Sequence, residues 1–369
     1  MARPARVAYV IMAGGKGERL WPLVRSEIPK VCLPAPSTAR QAGVSIDGTH
    51  TLLGATLKRI QPLMRRGDAL LIVTTAPQAQ AVRAVLPAQV RRSLLVEPEG
   101  KNTAACIALA AATLAQRDPT SVMAVLPADH WIRQASAFRK SLLAAIEWAS
   151  TDERIVTIGV RPTRIHPGLG HLCPGSLLGI RHGCRVFHLT RFVEKPSHRV
   201  AQRLLSQRRT MWNAGMFIGR VTTFLELMQQ WLPHHARQLI PLGPVVGRSA
   251  FQRTAASAYR RLRAVSFDDG VMVHLRNGCV VEGDFTWEDL GSWDSWVRIR
   301  RIGAPALSIA SRNVHVVSPD GHLVAAVGLR DLVVVHTPDA TLVCRTQDAQ
   351  AVRTVVARLA HDRSLSRYL

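Results

Sequence analysis

Short apolar runs alternate with longer amphipathic stretches from the start of the chain to about residue 300. Runs rich in β-branched residues predict strands at 7–12, 69–75, 94–96, 122–126, 155–160 and 186–193. Apolar residues three or four positions apart predict helices at 51–65, 78–86, 106–114, 135–149 and 198–207. Strands that alternate with helices are typical of a doubly wound, mostly parallel sheet, which binds ligands at the carboxyl ends of its strands. We therefore predict an α/β fold.

The pattern changes towards the C-terminus. Residues 221–262 read as mainly helical, with an interruption rich in proline and glycine at 241–247. After Ala304, short apolar runs at 314–317, 323–327, 332–335 and 341–344 are separated by turn sequences such as Pro319-Asp320-Gly321. A closing helix is expected at 347–359. We predict two domains, one over 1–300 and a small β-rich one over 305–369.

Composition excludes several classes of protein. No apolar run approaches the roughly 20 residues of a membrane span. The apolar stretch after the basic Met1–Arg6 segment ends in a glycine turn and lacks a convincing cleavage site, so we expect no signal peptide and a cytoplasmic location. The six cysteines are scattered, without a C-x-x-C pair, which argues against a zinc site and a disulfide framework.

The net charge of +23 has two interpretations. Clustered Lys and Arg would indicate nucleic-acid binding. The arginines are instead spread along the chain, and the sequence has only three tyrosines and no basic stripe interleaved with aromatic residues. We therefore favour an arginine-rich surface that attracts anionic substrates, and expect no nucleic-acid partner and no membrane.

A glycine cluster follows the first predicted strand. Gly14, Gly15 and Gly17 lack a Cβ, so a ligand can approach the backbone and successive N–H groups can converge on phosphate oxygens. Arg19 and Lys30 follow, with charges suited to a polyphosphate. The cluster matches neither the dinucleotide fingerprint nor the P-loop, so on its own it leaves a simple tight turn open.

Residues in three further segments each have a chemical and a structural interpretation. Asp129 ends a predicted strand, where a carboxylate can bind Mg²⁺ or cap the next helix. Asn102 and Thr103 precede an alanine-rich helix, which they could cap, or they could face a nucleotide. Glu194 and Lys195 follow a predicted strand. They could form its solvated end, or they could bind a sugar phosphate.

The string from Ala13 to Leu23, followed by Pro29-Lys30, resembles the signature of sugar-1-phosphate nucleotidylyltransferases. Its Leu20-Trp21-Pro22-Leu23 form resembles the mannose-1-phosphate guanylyltransferase branch. Similar motifs occur at 97–104, 126–130, 192–196, 212–217 and 287–293. The C-terminal runs resemble the β-helix-like domain of that family, so the resemblance covers nearly the whole chain. It implies a Rossmann-like, GT-A-like catalytic domain.

The resemblance also implies a reaction. Mannose 1-phosphate would attack the α-phosphate of GTP in line, giving GDP-mannose and pyrophosphate without a covalent intermediate. The same chemistry on another hexose or heptose 1-phosphate or another nucleotide remains an alternative, as does a catalytically weak regulatory homologue. Whether the chain forms a homodimer stays open.

Site residues are carried over from the matching motifs. The nucleotide would contact Ala13, Gly14, Gly15, Gly17, Arg19, Glu97, Asn102 and Thr103. The sugar phosphate would contact Gly170, Glu194, Lys195 and Asn213. Asp129 and Asp289 would hold Mg²⁺. The catalytic set would be Arg19, Lys30, Asp129 and Lys195.

Some positions depart from the family pattern. Lys101 and Ala105 stand where arginine and proline are usual, which predicts weaker nucleotide contacts. Leu169 replaces a tyrosine near the sugar, and Asp269 and Val273 alter another wall of the pocket. The segment 173–176 looks unlike the strand expected there.

Overall fold

A computed structural model describes residues 5–36, 50–207, 209–299 and 306–369 of the chain. Its strands are β1 Val7–Met12, β2 Ala69–Thr75, β3 Leu94–Glu97, β4 Val122–Pro127, β5 Trp131–Ile132, β6 Val156–Val160, β7 His171–Arg181, β8 Cys184–Val193, β9 Met211–Arg220, β10 Gly278–Gly283, β11 Trp287–Glu288, β12 Ala306–Ile309, β13 Arg312–Val317, β14 Val324–Val327, β15 Arg330–Thr337 and β16 Ala340–Arg345. Its α-helices are α1 Leu52–Ile60, α2 Ala79–Val85, α3 Asn102–Ala115, α4 Ala135–Thr151, α5 His198–Ser206, α6 Val221–Trp231, α7 Pro233–Leu239, α8 Phe251–Arg260, α9 Phe267–Gly270, α10 Trp293–Ile299 and α11 Val352–His361.

Strands of the described residues form a large central sheet in the order β3-β2-β1-β4-β9-β6-β10-β8-β7. The first four run parallel, and β6 pairs in parallel with β10. β9 runs antiparallel between β4 and β6. Because β1, β3 and β4 end at the same edge, the glycine turn, Glu97 and Asp129 all emerge there.

Helices cover both faces of this sheet. β1 is almost wholly apolar because both of its faces are buried, as in other parallel sheets. One apolar cluster joins α3, α6 and α8 to one face, and a second joins α1 and α4 to the other. The many alanines of α3 allow it to pack closely on the sheet, so nearly all of its residues are buried.

The predicted strands, helices and α/β fold class are confirmed. The expectation for 173–176 was wrong, because these residues lie inside β7. The pairing of β7 with β8 shifts register on both sides of Pro174, a residue that has no N–H to donate to a ladder. The strand is present, but its irregular register hides the usual alternation of apolar and polar residues.

The C-terminal residues form a β-rich module. β12 pairs with β14 and β13 with β15 in parallel, and β16 closes the second sheet antiparallel to β15. A third apolar cluster packs Leu342 and Leu359 of this module against Leu20 and Trp21, just after the glycine turn. No helix of the described residues has the length and apolar character needed to cross a membrane. All six cysteines are free thiols.

Candidate active site

The glycine turn presents unpaired backbone donors. Ala13 is fixed to β2, since its N–H donates to the carbonyl of Val73 at 2.7 Å. Within the described part of the chain, the backbone N–H groups of residues 14–17 reach no protein acceptor. A Cβ added at Gly15 would meet nothing within 4 Å, whereas one at Gly17 would lie 2.8 Å from Cβ of Lys30. Gly17 has a φ of 63°, so it needs both the absence of a side chain and the left-handed backbone that glycine permits.

Lys30 joins two carboxylate residues that lie 160 positions apart in the sequence. Its side chain is buried, and Nζ donates to Oδ2 of Asp129 and to the main-chain carbonyl of Asp289, both at 2.7 Å. Asp129 and Asp289 are therefore neighbours. Burial tends to raise the pKa of Asp129, but the Lys30 ammonium outweighs it and holds that pKa below its usual value.

Asp129 and Asp289 each have a carboxylate oxygen that could bind a divalent cation. Oδ1 of Asp129 accepts no hydrogen bond within the described chain, and Oδ1 of Asp289 accepts only a long one, 3.2 Å, from the N–H of Gly291. Mg²⁺ takes one or two carboxylates and completes its shell with phosphate oxygens and water. Among the described residues no group of three or more His, Cys, Asp or Glu side chains could hold a metal ion, so such a cation would need oxygens from the substrates.

His130 also lies in the site, although it was not among the residues predicted from the sequence. Nε1 of Trp287 donates to Nδ1 of His130 at 3.1 Å, which places the proton of the neutral ring on Nε2. That nitrogen lies 3.9 Å from Oδ1 of Asp129. Burial lowers the pKa of His130 to about 4, so the imidazole stays neutral. The Asp-His pair in the sequence was the available signal, but nothing in it indicated the tryptophan partner.

The segment after β3 reaches the glycine turn from the other side. A Cβ at Gly14 would lie 3.8 Å from Oε2 of Glu97. Glu97 is buried, its Oε1 accepts a hydrogen bond from the Tyr259 hydroxyl at 2.9 Å, and burial raises its pKa to about 8. Asn102 has a φ of 67°, and its Oδ1 accepts the N–H of the adjacent Thr103 at 2.8 Å, but α3 has no side-chain cap, so the capping alternative for Asn102 is not supported.

Thr103 connects this segment to residues further along the chain. Its Oγ1 accepts the N–H of Phe267 at 2.8 Å. Asp268 follows directly, and its Oδ1 accepts a hydrogen bond from Nδ2 of Asn213 at 2.8 Å. Burial, together with the nearby charge of Glu194, raises the pKa of Asp268 to about 7.

The residues predicted to hold a sugar phosphate form a second group. Nζ of Lys195 lies 2.8 Å from Oε1 of Glu194. A Cβ at Gly170 would stand 2.7 Å from Cζ of Phe192 and 2.8 Å from Oε2 of Glu194, so a larger residue would clash with the ring beside that carboxylate. The N–H of Asn213 donates to the carbonyl of Gly170 at 2.8 Å. These four residues therefore lie together.

Strand β9 joins the two groups. Gly215 follows Asn213 by two residues, and a Cβ added at Gly215 would lie 3.7 Å from Cε1 of His130. Contacts thus run from Thr103 through Phe267, Asp268 and Asn213 along β9 to His130, beside the Lys30 cluster.

The departures from the family pattern also have defined places. Nζ of Lys101 lies 3.3 Å from Oε1 of Glu99. Ala105 is buried within α3, and Leu169 is buried next to Gly170. Asp269 donates its N–H to the Ser266 hydroxyl at 2.9 Å, which caps the short helix α9.

Comparison with known proteins places the chain in a family. The family model described as nucleotidyl transferase matches residues 8–302. The chain belongs to the nucleotidyl transferase family. A second model, the MannoseP isomerase/GMP-like beta-helix domain, matches residues 306–359. The family resemblance inferred from the sequence motifs is thereby confirmed, as is the β-helix-like character of the C-terminal module.

Several members of the nucleotidyl transferase family are similar over most of this chain. A putative mannose-1-phosphate guanylyltransferase of Vibrio cholerae serotype O1 is 32% identical over 363 residues, which is 95% of this chain and 74% of that protein. A mannose-1-phosphate guanylyltransferase of Salmonella muenchen is 32% identical over 95% of this chain and 73% of its own length. A crystal structure named mannose-1-phosphate geranyltransferase, from Thermus thermophilus, superposes with a TM-score of 0.80 at 31% identity, covering 96% of this chain and 99% of that one.

Proposed function

We propose that this nucleotidyl transferase joins mannose 1-phosphate to GTP and releases GDP-mannose and pyrophosphate. The names of its relatives support this substrate pair. The observation that carries the proposal is the double contact of Lys30, which holds Asp129 and Asp289 together beside the glycine turn. An ammonium group and two aspartates in one place suit a reaction in which phosphate charge must be neutralised.

The reaction requires alignment more than proton transfer. A phosphate monoester is already anionic near neutral pH, so its oxygen needs no general base to attack the α-phosphorus. Positioning and electrostatic stabilisation supply most of the catalysis in phosphoryl chemistry. The N–H groups of residues 14–17 and the guanidinium of Arg19 bind the triphosphate. Lys30 stabilises the negative charge that develops at the reacting phosphates.

The two aspartates beside Lys30 are the proposed metal ligands. Asp129 and Asp289 would hold Mg²⁺, which when bound neutralises phosphate charge. The uncharged His130 lies beside the Asp129 carboxylate without a hydrogen bond to it and takes no part in proton transfer, because its pKa of about 4 leaves the ring neutral at physiological pH.

The other site residues divide between nucleotide and sugar phosphate. Lys195 holds the phosphate of the sugar, because its ammonium supplies the positive charge in that group of residues. The nucleoside contacts Glu97, Asn102 and Thr103, and the sugar hydroxyls contact Gly170, Glu194 and Asn213.

The proposal also includes the domain boundaries and the cellular location of the enzyme. Residues 1–300 form the catalytic domain and residues 305–369 the β-helix-like domain. Six free thiols suit the reducing environment of the cytoplasm, where we place the protein. The high positive charge attracts both anionic substrates.

Pyrophosphate release tests the proposal directly. The protein is assayed with GTP, ATP, UTP and dTTP against mannose 1-phosphate, glucose 1-phosphate and galactose 1-phosphate, in the presence of Mg²⁺. We expect the highest kcat/KM for GTP with mannose 1-phosphate. A preference for another nucleotide or sugar would replace the substrate assignment, and the absence of turnover with every pair would overturn the enzyme assignment.

A further inference from the structure

Arg19 of the glycine turn is held by the C-terminal module. Its Nη1 donates to Oε1 of Gln350 at 2.7 Å, although the two residues lie 331 positions apart. Gln350 belongs to a short 3-10 helix, Thr346–Ala351, between β16 and α11. Within the described part of the chain, Nε and Nη2 of Arg19 have no protein acceptor. One side of the guanidinium is therefore fixed, and the rest is available to a ligand.

Gln350 is itself fixed in orientation. Its Nε2 donates to Oγ of Ser292 at 2.9 Å, and that hydroxyl donates onward to Oδ1 of Asp294. Because the Ser292 hydroxyl has already given its proton to Asp294, it accepts from Gln350. The amide nitrogen must then face Ser292 and the amide oxygen must face Arg19. This chain of donors determines which end of the amide the arginine meets.

The same contacts bring Arg19 beside the metal aspartate. A Cβ placed on Gly291, the neighbour of Ser292, would lie 2.8 Å from Oδ2 of Asp289 and 3.1 Å from Nη2 of Arg19. Glycine at this position therefore leaves room for both the guanidinium and the Asp289 carboxylate. Gln350 supports the arginine from one side, and Gly291 leaves room for it on the other.

The module that carries Gln350 is firmly attached to the segment after the turn. Nε1 of Trp21 donates to the carbonyl of Tyr368 at 2.8 Å. Arg25 forms two hydrogen bonds with the carboxylate of Asp339, at 2.7 and 2.8 Å. Together with the apolar cluster around Leu20, these contacts fix the position of Gln350 relative to the glycine turn.

We propose that Gln350 is a positioning residue for nucleotide binding, which acts by holding the Arg19 guanidinium ready for the triphosphate. The inference rests on the proposed function, in which Arg19 binds that triphosphate. An arginine side chain loses rotational freedom when it binds a ligand, and a side chain that is already ordered loses less. The C-terminal module therefore contributes to nucleotide affinity without touching the nucleotide.

The test measures GTP binding by calorimetry, with Mg²⁺ and without sugar phosphate, in the full chain. Gln350→Met removes both polar contacts at nearly constant volume, and we expect its Kd for GTP to rise by about three- to tenfold. Gln347→Met is the matched control, because it makes the same change at an exposed position of the same 3-10 helix and leaves Arg19 alone. We expect that control to bind GTP like the wild type.

A double variant separates positioning from a merely structural role. If Gln350 acts through Arg19, then Gln350→Met should change the Kd for GTP no further in an Arg19→Ala background. An effect that persists in that background would overturn the proposal, as would a Gln350→Met variant that binds GTP like the wild type. Failure of the wild-type protein itself to bind GTP would instead overturn the proposed function.

Discussion

The hydroxyl of Tyr259 donates a hydrogen bond to Oε1 of Glu97 across 2.9 Å, inside the core below the glycine turn. Burial raises the pKa of Glu97 from 4.5 to about 8, and the bond from Tyr259 offsets only part of this rise. The folded chain therefore carries Glu97 as a neutral acid at pH 7, whereas the unfolded chain carries the anion. The segment proposed to face the nucleoside thus presents an uncharged carboxyl group to the site.

Stability should decrease with rising pH because of Glu97. Its pKa is higher in the folded state, so its contribution is complete below pH 4.5 and is lost as the pH rises through about 8. The loss is at most about 1.4 kcal/mol for each pH unit in that window. Glu97→Gln keeps an acceptor for Tyr259 and does not titrate. In urea unfolding, the wild type should therefore lose stability relative to Glu97→Gln between pH 5 and pH 8.5. Parallel profiles for the two proteins would contradict the raised pKa.

Loss of the Asp129 charge should abolish catalysis and leave the fold intact. Asp129→Asn keeps the shape of the side chain but removes the charge that Lys30 contacts and that would bind a cation. We expect kcat for pyrophosphate release to fall by at least about 100-fold, the order found when one electrostatic group is lost from an active site. The melting temperature should fall, because the buried Lys30 ammonium loses its charged partner, but unfolding should remain cooperative. Asp284→Asn makes the same chemical change at an exposed position and should retain activity. Near-wild-type turnover by Asp129→Asn would show that the Asp129 carboxylate is not required for the reaction.

Local pattern made much of the fold predictable. β1, β2 and β4 are short runs of β-branched and apolar residues between turns, and their ends agree with the predicted ones within a residue or so. β7 was harder, because Pro174 and the register shifts around it break the alternation of apolar and polar residues that a half-buried strand normally shows.

Predicting the candidate site required more than local pattern. The turn at residues 14–17 and the carboxylate at Asp129 stand out by residue type and by their place after a strand. No periodicity relates Asp129 to Asp289, and only the motif resemblance predicted that they meet. The partners His130–Trp287, Glu97–Tyr259 and Arg19–Gln350 arise from packing between distant segments, so they could not be predicted from a single sequence.

Two of the three glycines of the turn, Gly15 and Gly17, should differ sharply when replaced by alanine. Gly17 has a φ of 63°, and an added Cβ would lie 2.8 Å from Cβ of Lys30 and 3.1 Å from Val24. Gly17→Ala should therefore lower the free energy of unfolding by about 1–3 kcal/mol. Gly15→Ala is the matched control, since its Cβ would meet nothing within 4 Å. Urea unfolding measures both, and equal stability of the two variants would contradict the strained geometry at Gly17.

A negative charge at position 213 should weaken binding of the sugar phosphate. Its Nδ2 donates to Oδ1 of Asp268, a residue whose pKa is raised to about 7 by burial and by the nearby Glu194. Asn213→Asp would put a further carboxylate next to this pair, where an anionic sugar phosphate also has to bind. At pH 8 we expect KM for mannose 1-phosphate to rise about tenfold. At pH 6 the rise should be smaller, because Asp268 is then mostly protonated and shares its proton with the new neighbour.

The control for this effect is Asn277→Asp, which makes the same change at an exposed position. It should leave KM for mannose 1-phosphate unchanged at both pH values. KM for GTP should also stay constant in Asn213→Asp, because Asn213 contacts Gly170 and Asp268 on the sugar-phosphate side of the site. If KM for GTP changed instead, Asn213 would be assigned to the nucleotide site. If KM of Asn213→Asp for mannose 1-phosphate were equal at pH 6 and pH 8, Asp268 would be excluded as the titrating partner.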